Sequence, residues 1–312
     1  MLKENLNGFL DEIRAKIADE NISTGVPLSR FSTYRVGGPA ALLIKIEDTT
    51  VFSTLVKALK KFHLPVLLIG NGSNVLISDD GFEGAVLKLG ESFETIEIEG
   101  EVVKAGAAVK LPVLARETVK FGLSGFEWAV GVPGTVGGAV RMNAGGHGSD
   151  IASSLLEVTT INLLTGVSSN VPAKALDFSY RYSCIKNTDF VLDAKFELIQ
   201  GDKDESKRFL NEIVRWRRDN QPGGQNSGSV FTNPEGDSAG RLIEAAGLKG
   251  TRIGSAHISE KHANFFINYG DAKAEDLVKL ILTAKKSVKK LFNINLELEI
   301  QTLGFKKGTF EL

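Results

Sequence analysis

Glu127-Trp128-Ala129-Val130-Gly131-Val132-Pro133-Gly134-Thr135-Val136-Gly137-Gly138-Ala139-Val140-Arg141-Met142-Asn143-Ala144-Gly145-Gly146-His147-Gly148 carries seven glycines in the eighteen residues from Gly131. Glycine weakens helices and strands alike, so neither is expected to form here on its own. Such a segment stays ordered by packing closely on something flat or phosphorylated, and a dinucleotide with its ring system would serve. A glycine-rich surface loop is the competing reading.

Working outward, Gly70-Asn71-Gly72-Ser73-Asn74 directly follows the apolar run Val66-Leu67-Leu68-Ile69. Small residues after a buried strand let backbone N–H groups point at an oxyanion, and Ser73 and Asn74 add side-chain donors. Phosphate is the natural guest. No Gly-Lys-Ser/Thr follows, which excludes a Walker loop, and the third glycine and helix of a Rossmann fingerprint are missing. A tight turn explains the pentapeptide equally well. A third cluster, Val36-Gly37-Gly38-Pro39, accounts for more of the chain's 33 glycines.

Between these clusters the pattern mixes helices and strands throughout, which argues for α+β domains. An amphipathic helix is expected over residues 4–19 and another over 50–62. Strands are expected at 41–46, 66–69, 75–77, 85–89, 157–164 and 190–199. Apolar residues at 111, 114, 115, 118 and 119 mark a helical face, with Pro112 in its first turn and Gly122 beyond its end. Further helices are expected over 203–218, around Leu242 and Ile243, and over 277–291; residues 295–301 alternate strictly, as a half-buried strand does.

The stretch Gln221-Pro222-Gly223-Gly224-Gln225-Asn226-Ser227-Gly228-Ser229-Val230-Phe231-Thr232-Asn233-Pro234 is uncharged and rich in amides and hydroxyls. It suits a polar, anionic small molecule held by neutral donors, although a solvated turn reads the same way. Tyr180-Arg181-Tyr182 sets a cation between aromatics; the guanidinium could fork onto a carboxylate or pack as a cation–π pair. Glu297 and Glu299 share one face of the expected last strand, a face usually given to solvent. His262 is by default a structural hydrogen-bonder.

Composition removes several classes. Net charge is −1, with no basic surplus for nucleic acid. Cys184 is the only cysteine and the four histidines are scattered, so no disulfide framework and no metal site is expected. No apolar run approaches the ~18 residues of a membrane span, and the N-terminal residues lack the apolar core of a signal peptide. A cytoplasmic monomer is expected.

Taken in order, Tyr34-Arg35-Val36-Gly37-Gly38-Pro39-Ala40, Gly70-Asn71-Gly72-Ser73-Asn74-Val75-Leu76, Gly131-Val132-Pro133-Gly134-Thr135-Val136-Gly137-Gly138-Ala139, Met142-Asn143-Ala144-Gly145, Tyr180-Arg181, Gly228-Ser229-Val230-Phe231 and Ala239-Gly240-Arg241-Leu242-Ile243 resemble the UDP-N-acetylenolpyruvoylglucosamine reductase family, flavoenzymes of peptidoglycan synthesis. The resemblance runs from about residue 21 to 305 and is closest to the subtype lacking an inserted tyrosine loop. It implies a vanillyl-alcohol-oxidase/PCMH-type FAD-binding fold in two subdomains, residues 1–88 and 89–200, with a substrate domain at 201–305. Residues 293–312 could return to the first subdomain.

The resemblance also implies the chemistry. NADPH reduces non-covalent FAD, hydride passes from flavin N5 to C3 of the enolpyruvyl group of a UDP-sugar, and a serine protonates C2 to give UDP-N-acetylmuramate. By motif match Ser229 is that donor, Arg181 neutralises charge on the carboxylate, and Glu299 is the partner carboxylate. Cofactor contacts are implied for Arg35, Gly37, Gly70, Asn71, Gly72, Ser73, Asn74, Gly131, Pro133, Gly134, Thr135, Gly137, Gly138, Ala139, Asn143, Ala144 and Gly145. Substrate contacts are implied for Tyr180, Asn233, Arg241, His262 and Asn264. Arg141, Gly146-His147 and Gly223-Gly224-Gln225-Asn226 depart from the family's common residues. Two other readings remain: a related flavin oxidoreductase acting on an alcohol or sugar, with His147 near the flavin, and a nucleotide-binding module without redox chemistry.

Overall fold

The computed structural model describes residues 2–312. Packing divides the chain into two units that interleave along the sequence. Met1–Thr24, Ala41–Asn71 and Gly84–Arg215 form the first; Gly25–Ala40, Gly72–Glu83 and Trp216–Leu312 form the second. These packing units cut across the expected segments 1–88, 89–200 and 201–305.

A four-stranded sheet has the order Ile22–Pro27, Pro39–Ile46, Phe82–Leu89, Val66–Leu68. Its last two strands are parallel. In the first unit, helix Phe52–Phe62 buries Phe52, Leu55, Val56 and Leu59 and ends at His63, a left-handed cap. Helix Leu2–Ile13 packs beside it and adds Phe9 and Ile13 to the core. This helix stops short of the expected residue 19, and Ile17 is buried from the turn that follows.

The first unit's other sheet is antiparallel, in the order Ser168–Pro172, Leu155–Asn162, Asp189–Glu197, Val102–Gly106, Ile96–Glu99. Val103, Ala105, Val158, Ala194 and Phe196 on it are fully buried; each large apolar side chain so removed from water contributes about 1.5–3 kcal/mol. Helix Val136–Met142 lies against Val102–Gly106 and Asp189–Glu197, and helix Leu111–Lys120 packs on the turn Glu127–Gly131.

The glycine-rich segment therefore contains a two-turn helix that glycine propensity argued against. Tertiary packing overrides the propensity. Val136 N–H donates to Val109 O (2.9 Å) and Gly137 N–H to Ala107 O (3.0 Å). A Cβ on Gly137 would stand 3.0 Å from that of Ala107, so the glycine is what lets the helix sit on the chain at 107.

The second unit has a core of Tyr34, Val36, Leu76, Val230, Phe231, Leu242, Ile243, Phe266 and the apolar face of helix Ala274–Phe292. Strands Arg252–Ile253, Ala256–Ile258 and Phe266–Asn268 form an antiparallel sheet. Strand Gln301–Leu303 pairs in parallel with Val75–Ile77. The strand expected over 295–301 is largely irregular backbone, touching its neighbour through the single bridge Phe231↔Leu298. Burial alternates only from Asn295 to Leu298 and fails at the adjoining Glu299 and Ile300.

No helix among the described residues is long and apolar enough to cross a membrane. No group of three or more His, Cys, Asp or Glu among the described residues could hold a metal ion.

Candidate active site

Within the first unit the two glycine segments meet. A Cβ on Gly70 would lie 2.6 Å from Thr135 Oγ1, so only glycine leaves room for the hydroxyl. Thr135 precedes helix Val136–Met142 in extended conformation and is itself buried. Its Oγ1 is also the nearest atom, at 3.6 Å, to a Cβ placed on exposed Gly138. Pro133 is exposed beside them, whereas Gly131 and Ala139 are buried. Lys88 Nζ donates to Gly70 O (3.1 Å), and burial draws this ammonium's pKa down. Sequence reading missed Lys88, whose only signal is one cation in the apolar strand Phe82–Leu89.

After the helix, Asn143 turns the chain in left-handed conformation (φ 40°). Its Nδ2 donates to Ser179 O (3.0 Å) and Asp150 Oδ2 (3.2 Å), and its Oδ1 accepts from Ala152 N–H (3.0 Å). Ala144 N–H donates to Ala139 O, and Gly145 pairs with Asp150. Arg181 sits in the tight turn closed by Ser179 and Tyr182, at φ 57°. Its Nη2 donates to Gly145 O (3.0 Å), and its guanidinium lies 5.0 Å from the centre of the exposed Tyr180 ring. Arg141, one departure from the family pattern, turns to the Asn187 side chain, and burial lowers its pKa.

In the second unit, Ser229 lies on a segment pinned from both sides. Ser229 bridges Phe265, and Val230 N–H donates to Asn264 O (2.8 Å). The buried Asn264 amide accepts from Phe231 N–H (3.0 Å) and donates to Phe231 O (2.8 Å), standing in for a strand neighbour. On the other side Glu299 N–H donates to Val230 O (2.9 Å) and Thr232 N–H to Glu297 O (2.9 Å). Asn74, expected at the cofactor, donates from Nδ2 to Glu299 O (3.1 Å). Gly72 is buried at φ 62°, where a Cβ would overlap the Phe31 carbonyl. Gly37 is close against Ile77, Arg35 is exposed with Nη1 on Arg30 O (3.0 Å), Asn71 is exposed and Ser73 half-buried.

The other expected substrate residues are tied locally. Asn233 Oδ1 accepts from Ala239 N–H (3.1 Å) at the start of helix Ala239–Ala245. Arg241 forks onto Asp237, whose carboxyl it holds down to about 2. His262 Nδ1 accepts from Asn264 N–H (3.2 Å), and burial lowers its pKa. In the polar loop, the Asn226 amide bonds Gly223 O, Gly224 O and Gly228 N–H. Its donors thus satisfy the loop's own backbone, which has left-handed glycines at 224 and 228 and little regular pairing.

Known proteins sharpen the picture. The family model for the C-terminal domain of UDP-N-acetylenolpyruvoylglucosamine reductase matches residues 220–303, and the FAD binding domain model matches residues 40–167. The latter agrees with the vanillyl-alcohol-oxidase-type α+β flavin fold expected. UDP-N-acetylenolpyruvoylglucosamine reductase 1 of Bacillus cereus is 41% identical over 281 residues, covering 89% of this chain and 93% of the relative. The reductase of Parasynechococcus marenigrum is 42% identical over 293 residues, covering 92% and 97%. The crystal structure of the Thermus caldophilus reductase superposes with a TM-score of 0.78 at 36% identity, covering 89% of this chain and 97% of that one. With identity sustained along nearly the whole of both chains, this chain belongs to the UDP-N-acetylenolpyruvoylglucosamine reductase family.

Proposed function

We propose that this chain uses NADPH and non-covalently bound FAD to reduce the enolpyruvyl ether of UDP-N-acetylglucosamine to UDP-N-acetylmuramate. The observation that carries the reading is the peptide at Ser229, locked between Asn264-Phe265 and Glu297-Glu299. Such fixing is what a proton donor needs, since the donor must meet one carbon at one angle. Family membership over the whole chain supports the same reaction and favours it over oxidation of an alcohol or sugar.

A flavin nucleotide fits the first unit. Gly146 leaves open space where another residue would place its side chain, and exposed Gly138 has only the Thr135 hydroxyl, at 3.6 Å, beside the position of a Cβ. The Thr135 hydroxyl and the Lys88 ammonium both stand beside Gly70 and suit an anionic group. Gly70, Pro133, Gly134, Thr135, Gly138 and Gly145 would hold it, with Arg35, Gly37 and Asn71 to Asn74 as further contacts. When bound and reduced, the flavin would supply the hydride that the substrate C3 takes. Ser229 Oγ gives its proton to C2, so the double bond gains one hydride and one proton. The Arg181 guanidinium neutralises charge that builds on the substrate carboxylate, a preorganised interaction worth a few kcal/mol in the transition state. Glu299 is the carboxylate partner, and Tyr180, Asn233, Arg241 and His262 border the sugar nucleotide, while buried Asn264 holds the Phe231 peptide. Arg241 must leave Asp237 to reach a phosphate. The protein acts as a cytoplasmic monomer.

Stopped-flow absorbance of Ser229→Ala tests this. NADPH should bleach the flavin at near-normal rate, while reoxidation by the enolpyruvyl substrate falls roughly 10²–10⁴-fold, as for a lost general acid. Equal loss of both half-reactions would make Ser229 structural and end the assignment.

A further inference from the structure

We infer that Asn143 is a positioning residue for Arg181, with Asp150 behind it, rather than a cofactor contact. Both N–H groups of the Asn143 amide are spent, one on Ser179 O and one on Asp150 Oδ2, and its Oδ1 takes the Ala152 N–H. The residue is 3% exposed, so no donor remains to turn toward a ligand.

Those bonds belong to a closed ring. Ser179 and Tyr182 exchange two N–H to O bonds of 3.1 Å, which define the turn holding Arg181. Arg181 returns through Nη2 to Gly145 O, Gly145 pairs with Asp150, and Asp150 accepts from Asn143. Asn143 thus bonds both the turn carrying Arg181 and the hairpin its guanidinium grips. Arg181 needs such support, because its φ of 57° is disfavoured for a residue with a Cβ. Residues in strained backbone keep that conformation only where their surroundings over-determine it. Misplacing a transition-state contact by about 1 Å can cost ~10²-fold in rate, so loosening the ring should act on the step that uses Arg181 and on no other.

The importance of Asn143 rests on the role proposed for Arg181, and a double-mutant cycle on the holoenzyme separates the two. Asn143→Ala should keep its FAD and its NADPH-driven bleaching within about 3-fold, while substrate-driven reoxidation slows by roughly 10–100-fold. In an Arg181→Ala background the same change should add less than about 2-fold, because the residue it serves is gone. Asp150→Asn loosens the ring from its half-exposed side while an Asn can still cap Ser153. It should show a smaller effect of the same pattern, and it carries the test if Asn143→Ala does not fold. Loss of FAD, equal slowing of both half-reactions, or full additivity with Arg181→Ala would each overturn the positioning role. Reoxidation left unchanged by Arg181→Ala alone would instead overturn the role of Arg181 itself.

Discussion

Glu297 and Glu299 show how far a single residue can be read from sequence. A period of two puts both on one face, and only motif spacing favours Glu299. The backbone separates them, because the alternation of burial ends after Leu298, where Glu299 is held by Val230 and Asn74. Those partners lie far away in sequence, so no local pattern could reveal the break. Glu297 is exposed and Glu299 half-buried. Glu299→Gln keeps the shape but removes the charge and should slow substrate-driven flavin reoxidation by at least about 10-fold. Glu297→Gln should leave it within a few-fold, as at most exposed positions. The reverse ranking in stopped-flow traces would move the carboxylate role to Glu297. Asn143, Asn233 and Asn264 teach a related lesson: a motif match finds the residue, but whether its amide faces a ligand or the protein depends on partners the motif does not contain.

Elements were legible wherever hydrophobic period and turn chemistry agreed. The strand Val75–Ile77 and the helices Leu111–Lys120 and Lys203–Asn220 lie within two residues of expectation. The two-turn helix Val136–Met142 was not legible, since its stability comes from Ala107 and Val109 rather than from its own residues. The start of helix Lys203–Asn220 depends on another long-range contact. Buried Glu127 accepts from Ser124 Oγ (2.6 Å), Ser206 Oγ (2.6 Å) and Gly125 N–H (2.8 Å). Burial pushes this carboxyl up, but the hydroxyls and the amide outweigh it and hold the pKa below the ordinary range. A lowered folded pKa contributes stability above the unfolded value and loses it as pH falls through the folded one. Urea titrations should find Glu127→Gln less stable by about 1–3 kcal/mol at pH 7. That gap should close as pH drops below the usual carboxylate range. A constant gap would show that packing, not charge, is what the substitution removes.

At the scale of the molecule, cofactor and stability are linked. Free FAD at one hundred times its dissociation constant adds ~2.7 kcal/mol to the folded state, several degrees in melting temperature for a chain of this size. Gly138→Val should abolish most of that rise while leaving the stripped protein's melting point near normal, since the added Cβ meets only the Thr135 hydroxyl, at an ordinary 3.6 Å. Gly137→Val should instead lower the melting point with and without FAD, because it pushes on Ala107. Thermal scans with the two behaviours exchanged would relocate the cofactor surface to the other side of the helix.

The chain passes between its packing units five times, at Thr24, Ala40, Asn71, Glu83 and Arg215. The strand Val75–Ile77 therefore cannot pair until Gln301–Leu303 leaves the ribosome, about 220 residues later. At ~5–20 residues per second of synthesis that is a wait of roughly 10–45 s, during which an apolar strand edge stands unpaired. Newborn copies of this enzyme need protection from one another for that interval, which ends when Gln301–Leu303 arrives to pair.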